Sequence, residues 1–248
     1  MKVGILCVPF VTCEAHLVAA EHALQSAKSQ LFDGEVHIKA IANRCNSAIW
    51  EECIRSLVDT YEMNSENNLS LAWNKGISTF LDEGYSHVLI INLDLMLHPL
   101  LLERLVIFSH NEPDAVIWSA SEVTTPEELV TESYEYVITE GAHFSCFLVT
   151  NSLFQKVGEF DTGFFPAYHE DADMSYRIKL AGEKAVSLSS ARFYHSGQGT
   201  LRAILNAKDE ELALAIRVSM NESMDRYTEK WGGLPGREQF LAPFEVKK

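Results

Sequence analysis

The first 110 residues alternate short apolar runs with longer amphipathic stretches, and this alternation constrains the fold more than any other feature of the chain. Residues 3–8 and 87–93 are largely apolar runs of strand length, as in strands buried on both faces of a sheet. Residues 15–30 and 71–81 carry apolar side chains at helical spacing. Strands that alternate with helices predict an α/β fold with a largely parallel sheet, which binds its ligands where the strands end.

Composition sets the number of domains and limits the class of partner. The chain has 248 residues, 47% of them hydrophobic, which is enough for one large domain with a full core. No repeat or low-complexity linker divides it, so we expect a single domain over residues 1–248. The formal net charge of −15 opposes general binding to a nucleic-acid backbone, because such binding needs clustered Lys and Arg.

The cysteines and the apolar runs indicate the compartment. The five cysteines are widely spaced and include no CxxC pair, so we expect no disulfide and no zinc site, as in a cytoplasmic protein. Pro9 interrupts the N-terminal apolar run, which predicts a buried strand rather than a signal peptide. No apolar run approaches the ~20 residues that a membrane-spanning helix needs.

One candidate site follows the apolar run that ends at Ile91. The chain continues as Asn92-Leu93-Asp94, which places a carboxylate at the predicted end of a strand. Oxygen ligands favour Mg²⁺ or Mn²⁺, and such a cation can hold a diphosphate. Alternatively, Asp94 only ends the strand and caps a helix that starts near Pro99.

A second candidate site lies where aromatic and glycine residues lead into Glu170, Asp171 and Asp173 at a predicted helix start. Acidic residues also favour helix N-termini, so capping is the alternative explanation. Three carboxylates beside Tyr168 and His169 exceed what capping needs, and we expect a functional site. A carboxylate with aromatic neighbours can have a raised pKa, which suits a general base.

Histidines supply a third candidate. His195 ends a short predicted strand and opens a loop with Gly197 and Gly199, so it is a candidate metal ligand beside backbone that can approach phosphate closely. We expect structural roles for the isolated histidines, which are His16, His22, His37, His87, His98, His110 and His143.

The C-terminal part predicts a long helix over residues 203–231 and an extended tail to residue 248. Apolar side chains recur along this helix and predict a core contact or a homodimer face; they are Leu212, Ile216, Met220 and Tyr227. Trp231 either closes over a ligand or docks the helix onto the core.

In their order, these motifs resemble the family 2 glycosyltransferases, particularly the rhamnosyltransferase-like bacterial and phage members. Residues 68–77 resemble the family's N-x-G-x-A-x-A-x-N-x-G-I segment, and residues 91–94 resemble its L-N-P-D metal motif. Residues 156–165 are similar to K-V-G-x-F-D-E-x-F-F, and residues 170–177 to E-D-x-D-L-x-x-R. His195 stands where the family has a late metal-binding histidine.

The resemblance implies a GT-A fold, an α/β architecture with a Rossmann-like mixed central sheet flanked by helices, a long C-terminal helix and an extended tail. It implies one domain with a nucleotide-sugar-binding half over residues 1–110 and an acceptor and catalytic half over residues 111–200. Residues 201–248 would form the C-terminal helix and tail.

The same resemblance implies an inverting, metal-dependent glycosyltransferase that moves a hexosyl or deoxyhexosyl group from a UDP-, dTDP- or GDP-sugar to a hydroxyl. Asp94 and His195 would bind Mn²⁺ or Mg²⁺, Asp171 would be the base and Glu170 would support it. The donor-binding residues would be Pro9, Asn43, Asn74, Asn92 and Asp94. The acceptor-binding residues would be Tyr168, His169, Asp173 and Trp231. The acceptor would be a glycan, a protein or a small molecule, with modified nucleic acid disfavoured by the net charge.

Asn43 departs from the pattern, because the family usually has an Asp there to recognise the base of the nucleotide. This departure leaves the base open and motivates one alternative, a non-catalytic nucleotide-sugar-binding module. The other alternative is a nucleotidyltransferase on a similar fold. A Gly-rich basic loop after the first strand would favour it, and residues 7–14 contain neither Gly nor Lys or Arg.

Overall fold

The structure is a computed structural model that describes residues 1–131, 136–195 and 200–245, without the side chains of residues 200–202. The described strands are β1 (Lys2–Cys7), β2 (Phe10–Val11), β3 (Glu35–Ala42), β4 (Arg44–Cys45), β5 (Thr60–Met63), β6 (His87–Ile91), β7 (Leu95–Leu97), β8 (Ala115–Val123), β9 (Ile138–Glu140), β10 (Cys146–Val149) and β11 (Lys184–His195). The described helices are α1 (Glu14–Lys28), α2 (Ala48–Ser56), α3 (Leu69–Asp82), α4 (Leu101–Asn111), α5 (Pro126–Val130), α6 (Asn151–Lys156), α7 (Glu170–Leu180), α8 (Thr200–Asn206) and α9 (Glu210–Trp231).

A mixed sheet forms the centre of the fold, with the strand order β5-β3-β1-β6-β10-β8-β11-β7 and β9 paired to β11. The strands β5, β3, β1 and β6 are parallel. The strand β10 inserts antiparallel between β6 and β8, and β11 runs parallel to β8. Helices α1, α2 and α4 cover one face, and α3, α6 and α7 cover the other. The expected fold class is therefore confirmed.

Close packing of α3 against the sheet explains two glycines of the first half. A Cβ atom at Gly4 would lie 2.6 Å from the Phe80 ring, and one at Gly76 would clash with the Leu6 side chain. The helix can therefore approach β1 only because both positions lack a side chain. This contact packs α3 closely against β1 in the first half of the sheet.

Several predicted boundaries were wrong, because they depend on contacts between distant segments. The sequence indicates one helical candidate over residues 49–60, but α2 ends at Ser56, and Thr60–Met63 forms the edge strand β5. Residues 95–97, expected to lead into a helix, form β7 against β11. The sequence predicts two short strands, over residues 185–189 and 191–194, but the structure has the one strand β11 with a register shift between Leu188 and Arg192. The sequence also predicts a strand over residues 134–139; this segment is described only from residue 136, and its strand β9 is Ile138–Glu140.

The predicted C-terminal helix is two helices, because the chain turns at Lys208 with a φ of 59°. Asp209 then caps α9 by accepting a hydrogen bond from the Leu212 N–H at 3.0 Å. The tail folds back over the end of α9, where the Tyr176 hydroxyl donates to the Phe240 carbonyl at 2.8 Å. In the part of the chain that is described, no helix has both the length and the hydropathy to cross a bilayer.

Candidate active site

A cleft of about 690 Å³ opens where β1, β3 and β6 end. The loops that follow these strands supply one wall, in agreement with the position expected for ligands in a parallel α/β sheet. The side chains from these three loops are Val8, Phe10, Val11, Asn43, Arg44, Asn92, Leu93 and Asp94. The start of α7 supplies Glu170 and Asp171 on the side of the second half.

The first half of α9 closes the cleft opposite the sheet. Ile216 is buried in a small cluster that includes Phe10 from the β1 loop and Tyr168 from the loop before α7. Ile216, Ser219 and Glu222 line the cleft itself. The apolar stripe of α9 therefore packs within the chain's own core, and homodimer formation stays a prediction.

Asp94 and His195 meet because of a strand that the sequence pattern did not reveal. The strand β7 starts immediately after Asp94, and its Leu95 pairs with His195 of β11 in antiparallel register. This register brings Asp94 Oδ2 to 2.8 Å from His195 Nε2. The Asp94 carboxylate raises the pKa of His195 above its usual value, against the opposing effect of burial, and Glu122 adds a smaller contribution in the same direction.

The geometry of this pair is suitable for binding a divalent cation. His195 Nε2 is buried and, despite its short distance to Asp94, makes no aligned hydrogen bond with a described residue. An imidazole nitrogen and a carboxylate oxygen that converge in this way are suitable ligands for Mn²⁺. No described group of three or more His, Cys, Asp or Glu side chains forms a closed metal site. The pair would therefore belong to an open site that a ligand's own oxygens complete. Gly197 and Gly199, predicted beside it, lie outside the described residues.

The backbone before α7 is strained. Tyr168 and His169 both have left-handed φ values, of 78° and 67°. Two consecutive non-glycine residues in this region are uncommon, and each costs about 1–3 kcal/mol. Such strain persists where the surrounding contacts fix the conformation, and it concentrates at functional sites. It turns the chain sharply, so that Glu170 at the start of α7 lies inside the protein.

Glu170 places a buried carboxyl group, without an ion-pair partner among the described residues, in the wall of the cleft. Its side chain is 6% exposed, and Oε2 has no hydrogen-bond partner among the described residues. Burial, reinforced by the neighbouring Asp171 charge, raises its pKa to about 8. The group is therefore protonated at neutral pH, and a protonated carboxyl can donate a hydrogen bond to a ligand.

Asp171 has the opposite environment. Its side chain is exposed at the cleft, and Oδ1 accepts a hydrogen bond from the Ala172 N–H at 2.7 Å. The two neighbouring carboxyl groups are therefore suited to different tasks, because one is buried and the other meets solvent.

No protein-family model matches the chain, and no curated protein matches it. Solved glycosyltransferase structures do match. GalNAc-T7, solved with UDP, GalNAc and Mn²⁺, aligns with a TM-score of 0.60 and 13% identity over 78% of this chain and 43% of its own. TarS from S. aureus, solved with UDP, aligns with a TM-score of 0.55 and 12% identity over 78% of this chain and 60% of its own.

The fold is of the GT-A type. At 12% and 13% identity, these likenesses establish the architecture alone. The chain also spans less than two thirds of each matched protein, 43% and 60%. Within this GT-A fold, the side chains in the cleft determine the chemistry.

The predicted site residues take three kinds of position within the GT-A fold: in the cleft lining, supporting it, or away from it. Those that line the cleft are Asn43, Asn92, Asp94, Tyr168, Glu170 and Asp171. Two others support the lining. The Pro9 carbonyl accepts hydrogen bonds from the backbone N–H groups of Asn43 and Arg44, at 2.9 and 3.3 Å. Asn74 bridges α3 to the loop before α7, because its amide exchanges two hydrogen bonds with the backbone of Phe160.

Asp173 and Trp231 lie in the protein interior, away from the cleft lining. Asp173 is fully buried, and its Oδ1 accepts a hydrogen bond from Trp231 Nε1 at 2.8 Å. This contact docks α9 onto α7, which is the alternative foreseen for Trp231. His169 is also absent from the lining, since its left-handed backbone turns the chain into α7. We propose structural roles for these three residues.

Sequence reasoning missed several residues that the GT-A fold brings to the cleft. His16 and His143 were expected to be structural, but both line it. His16 Nδ1 lies 3.1 Å from the Thr12 hydroxyl at the start of α1. Arg44, Asn67 and Glu222 also line it. No local pattern marks these residues, because each comes from a different segment and only the fold assembles them.

Replacing Glu170 by Gln tests its buried, protonated state. The folded pKa of about 8 exceeds the usual 4.5, so Glu170 favours folding below pH 4.5 and loses that contribution as pH rises through 8. Gln keeps the shape without the proton equilibrium. The variant should therefore gain stability over wild type by on the order of 3 kcal/mol between pH 5 and pH 9.

Urea unfolding at pH 5, 7 and 9 measures this difference. Glu229→Gln, an exposed change on α9, is the matched control and should follow wild type at each pH. Parallel stability curves for Glu170→Gln and wild type would show that Glu170 ionises normally in the folded chain.

Proposed function

We propose that this protein is a glycosyltransferase that moves a sugar from a nucleoside-diphosphate sugar to an acceptor hydroxyl, with inversion and with a divalent cation. The observation that carries the proposal is the position of two chemically different centres on one cleft. Asp94, which contacts His195, lines the cleft at one centre, and the carboxyl pair Glu170 and Asp171 lines it on the α7 side. With a donor and an acceptor bound between these centres, the leaving nucleoside diphosphate would lie near Asp94, and the attacking hydroxyl of the acceptor would lie near Asp171.

The charge of the cleft supports a role for a cation. Besides the protonated Glu170, its described lining contains three acidic residues, which are Asp94, Asp171 and Glu222, and Arg44 is its single Lys or Arg. A diphosphate brought into such surroundings meets repulsion unless a cation compensates it. Asp94 and His195 would hold that cation, which is Mn²⁺ or Mg²⁺.

The residues of the chain would divide the reaction as follows. Asp171 would take the proton of the acceptor hydroxyl as general base. Glu170, protonated at neutral pH, would donate a hydrogen bond that orients the acceptor or the sugar. Asn43 and Asn92 would bind the donor. A divalent cation, when bound, would supply charge that stabilises the departing nucleoside diphosphate.

The GT-A likeness also guides the choice of donor. GalNAc-T7 and TarS were both solved with UDP, so UDP-sugars are the first donors to test, followed by dTDP- and GDP-sugars. Transfer of a deoxyhexose such as rhamnose is the finer expectation from the sequence motifs. Comparison of these donors tests whether Asn43 contacts the base of the nucleotide. Asn43 Oδ1 accepts a hydrogen bond from Asn64 Nδ2 at 2.8 Å.

A thermal-shift screen of these nucleotide sugars, with and without Mn²⁺, tests the proposal. A donor at 100 times its dissociation constant should stabilise the protein by about 2.7 kcal/mol, and Mn²⁺ should be required. Asp94→Ala should abolish the Mn²⁺-dependent part of the shift. Mass spectrometry then identifies the product. Release of pyrophosphate would indicate a nucleotidyltransferase, and donor binding without transfer or hydrolysis would indicate a binding module.

A further inference from the structure

We propose that Glu122 is a positioning residue, which favours the tautomer of His195 that can bind the cation. The inference rests on the proposed function, because the cation is the one assigned there to Asp94 and His195. It concerns a chain of contacts that runs from Ser145 through His143 and Glu122 to His195.

The chain of contacts has a fixed direction at its first end. The Ser145 N–H donates to His143 Nδ1 at 3.4 Å, so this nitrogen accepts and the proton of neutral His143 lies on Nε2. His143 Nε2 then donates to Glu122 Oε2 at 3.1 Å. The His143 ring packs edge-on against Phe193, and its backbone N–H donates to Ser119 Oγ at 2.9 Å, which anchors the residue. One carboxylate oxygen of Glu122 is therefore held by the Nε2–H group of His143.

The other carboxylate oxygen of Glu122 faces His195. Its Oε1 lies 3.7 Å from His195 Nδ1, an electrostatic contact rather than a hydrogen bond. The sheet explains this proximity, because Glu122 of β8 pairs with Phe193 of β11, two residues before His195. The contact crosses between adjacent strands and does not depend on a loop.

Two carboxylates therefore compete for the proton of one imidazole. Asp94, 2.8 Å from Nε2, favours a proton on that nitrogen, and such a proton would block Nε2 as a ligand. Glu122 favours the proton on the opposite nitrogen, Nδ1, which leaves the Nε2 lone pair available. A carboxylate behind a metal-binding histidine commonly acts in this way, and its loss weakens metal affinity 10- to 100-fold. Glu122 offsets the effect of Asp94.

Binding of Mn²⁺ alone tests the proposal, because it needs no substrate and no turnover. The signal of free Mn²⁺ in electron paramagnetic resonance gives the dissociation constant. Glu122→Ala should raise that constant about 10-fold, the lower end of the range for such a carboxylate, because the contact spans 3.7 Å. Glu122→Gln keeps an acceptor oxygen but loses the charge, so its constant should fall between those of wild type and Glu122→Ala. Glu140→Ala, the same change at an exposed position on the neighbouring strand β9, should bind as wild type does.

The tautomer itself gives a second measurement that a purely structural role would not change. In the metal-free wild type, the ¹⁵N chemical shifts of His195 should show a population with the proton on Nδ1, and Glu122→Ala should reduce that population in favour of Nε2. Glu122 has 41% of its side chain exposed, so the alanine variant should unfold at the wild-type temperature. Unchanged Mn²⁺ affinity in Glu122→Ala, with loss of affinity in Asp94→Ala, would overturn the role of Glu122 alone. Absence of Mn²⁺ binding by wild type, even with UDP, would overturn both this role and the proposed cation site.

Discussion

Replacing Asp171 by Asn should lower the rate of sugar transfer about 100-fold to 10,000-fold, the usual contribution of a general base, with little change in donor affinity. The amide occupies the same volume and can accept the Ala172 N–H bond that Asp171 Oδ1 accepts now, so the start of α7 should keep its geometry. What the variant loses is the capacity to take a proton from the acceptor. Steady-state kinetics with a fixed donor, together with calorimetric titration of that donor, separates the two effects.

Glu170→Gln is the informative comparison, because the two neighbouring carboxyl groups differ in protonation. If Glu170 acts as a protonated donor, Gln preserves its hydrogen bond, and transfer should fall much less than in Asp171→Asn. Asp225→Asn, an exposed change on α9, should leave transfer at the wild-type rate. Wild-type transfer by Asp171→Asn with a large loss in Glu170→Gln would reverse the assignment and make Glu170 the base.

The elements that the sequence predicted well are those set by local pattern. The run at residues 87–93 and the amphipathic helix at residues 71–81 carry their periodicity within a few residues, and both appear within two residues of the expected bounds. The strands β5 and β7 have four and three residues and too little periodicity to be recognised. Their existence depends on partners elsewhere in the chain, since β7 pairs with β11 about 100 residues later.

The same distinction applies to the candidate site. Asp94 and His195 could be paired from family motifs, but the reason for their contact, the register of Leu95 with His195, is visible only in the fold. Glu122 and His143 carry no local signal at all. They contact each other, and Glu122 contacts His195, because β8 and β11 are adjacent. A residue that acts through another is therefore the kind of site residue least accessible to sequence reasoning.

Replacing Asp173 by Ala should destabilise the protein by about 3 kcal/mol, because it removes one partner from a buried charged network. Asp173 accepts from Arg177 Nε at 2.8 Å and from Trp231 Nε1 at 2.8 Å, and Lys230 Nζ lies 2.6 Å from it. Without the carboxylate, the buried indole N–H has no acceptor and Arg177 loses its ion pair. Lys230 keeps Asp161 at 2.7 Å, which limits the loss. Urea unfolding measures the change in the free energy of unfolding.

This variant also decides between a structural and an acceptor-binding role for Asp173. The network ties the end of α9 to α7, whereas the cleft is lined by the first half of α9. If Asp173 is structural, the folded variant should therefore keep the wild-type KM for the acceptor at a temperature well below its melting point. Asp225→Ala, an exposed change in α9, should alter stability by less than about 0.5 kcal/mol. Wild-type stability in Asp173→Ala, together with a raised acceptor KM, would place Asp173 at the acceptor instead. The fully buried carboxylate and its three cationic or N–H partners argue for the first outcome.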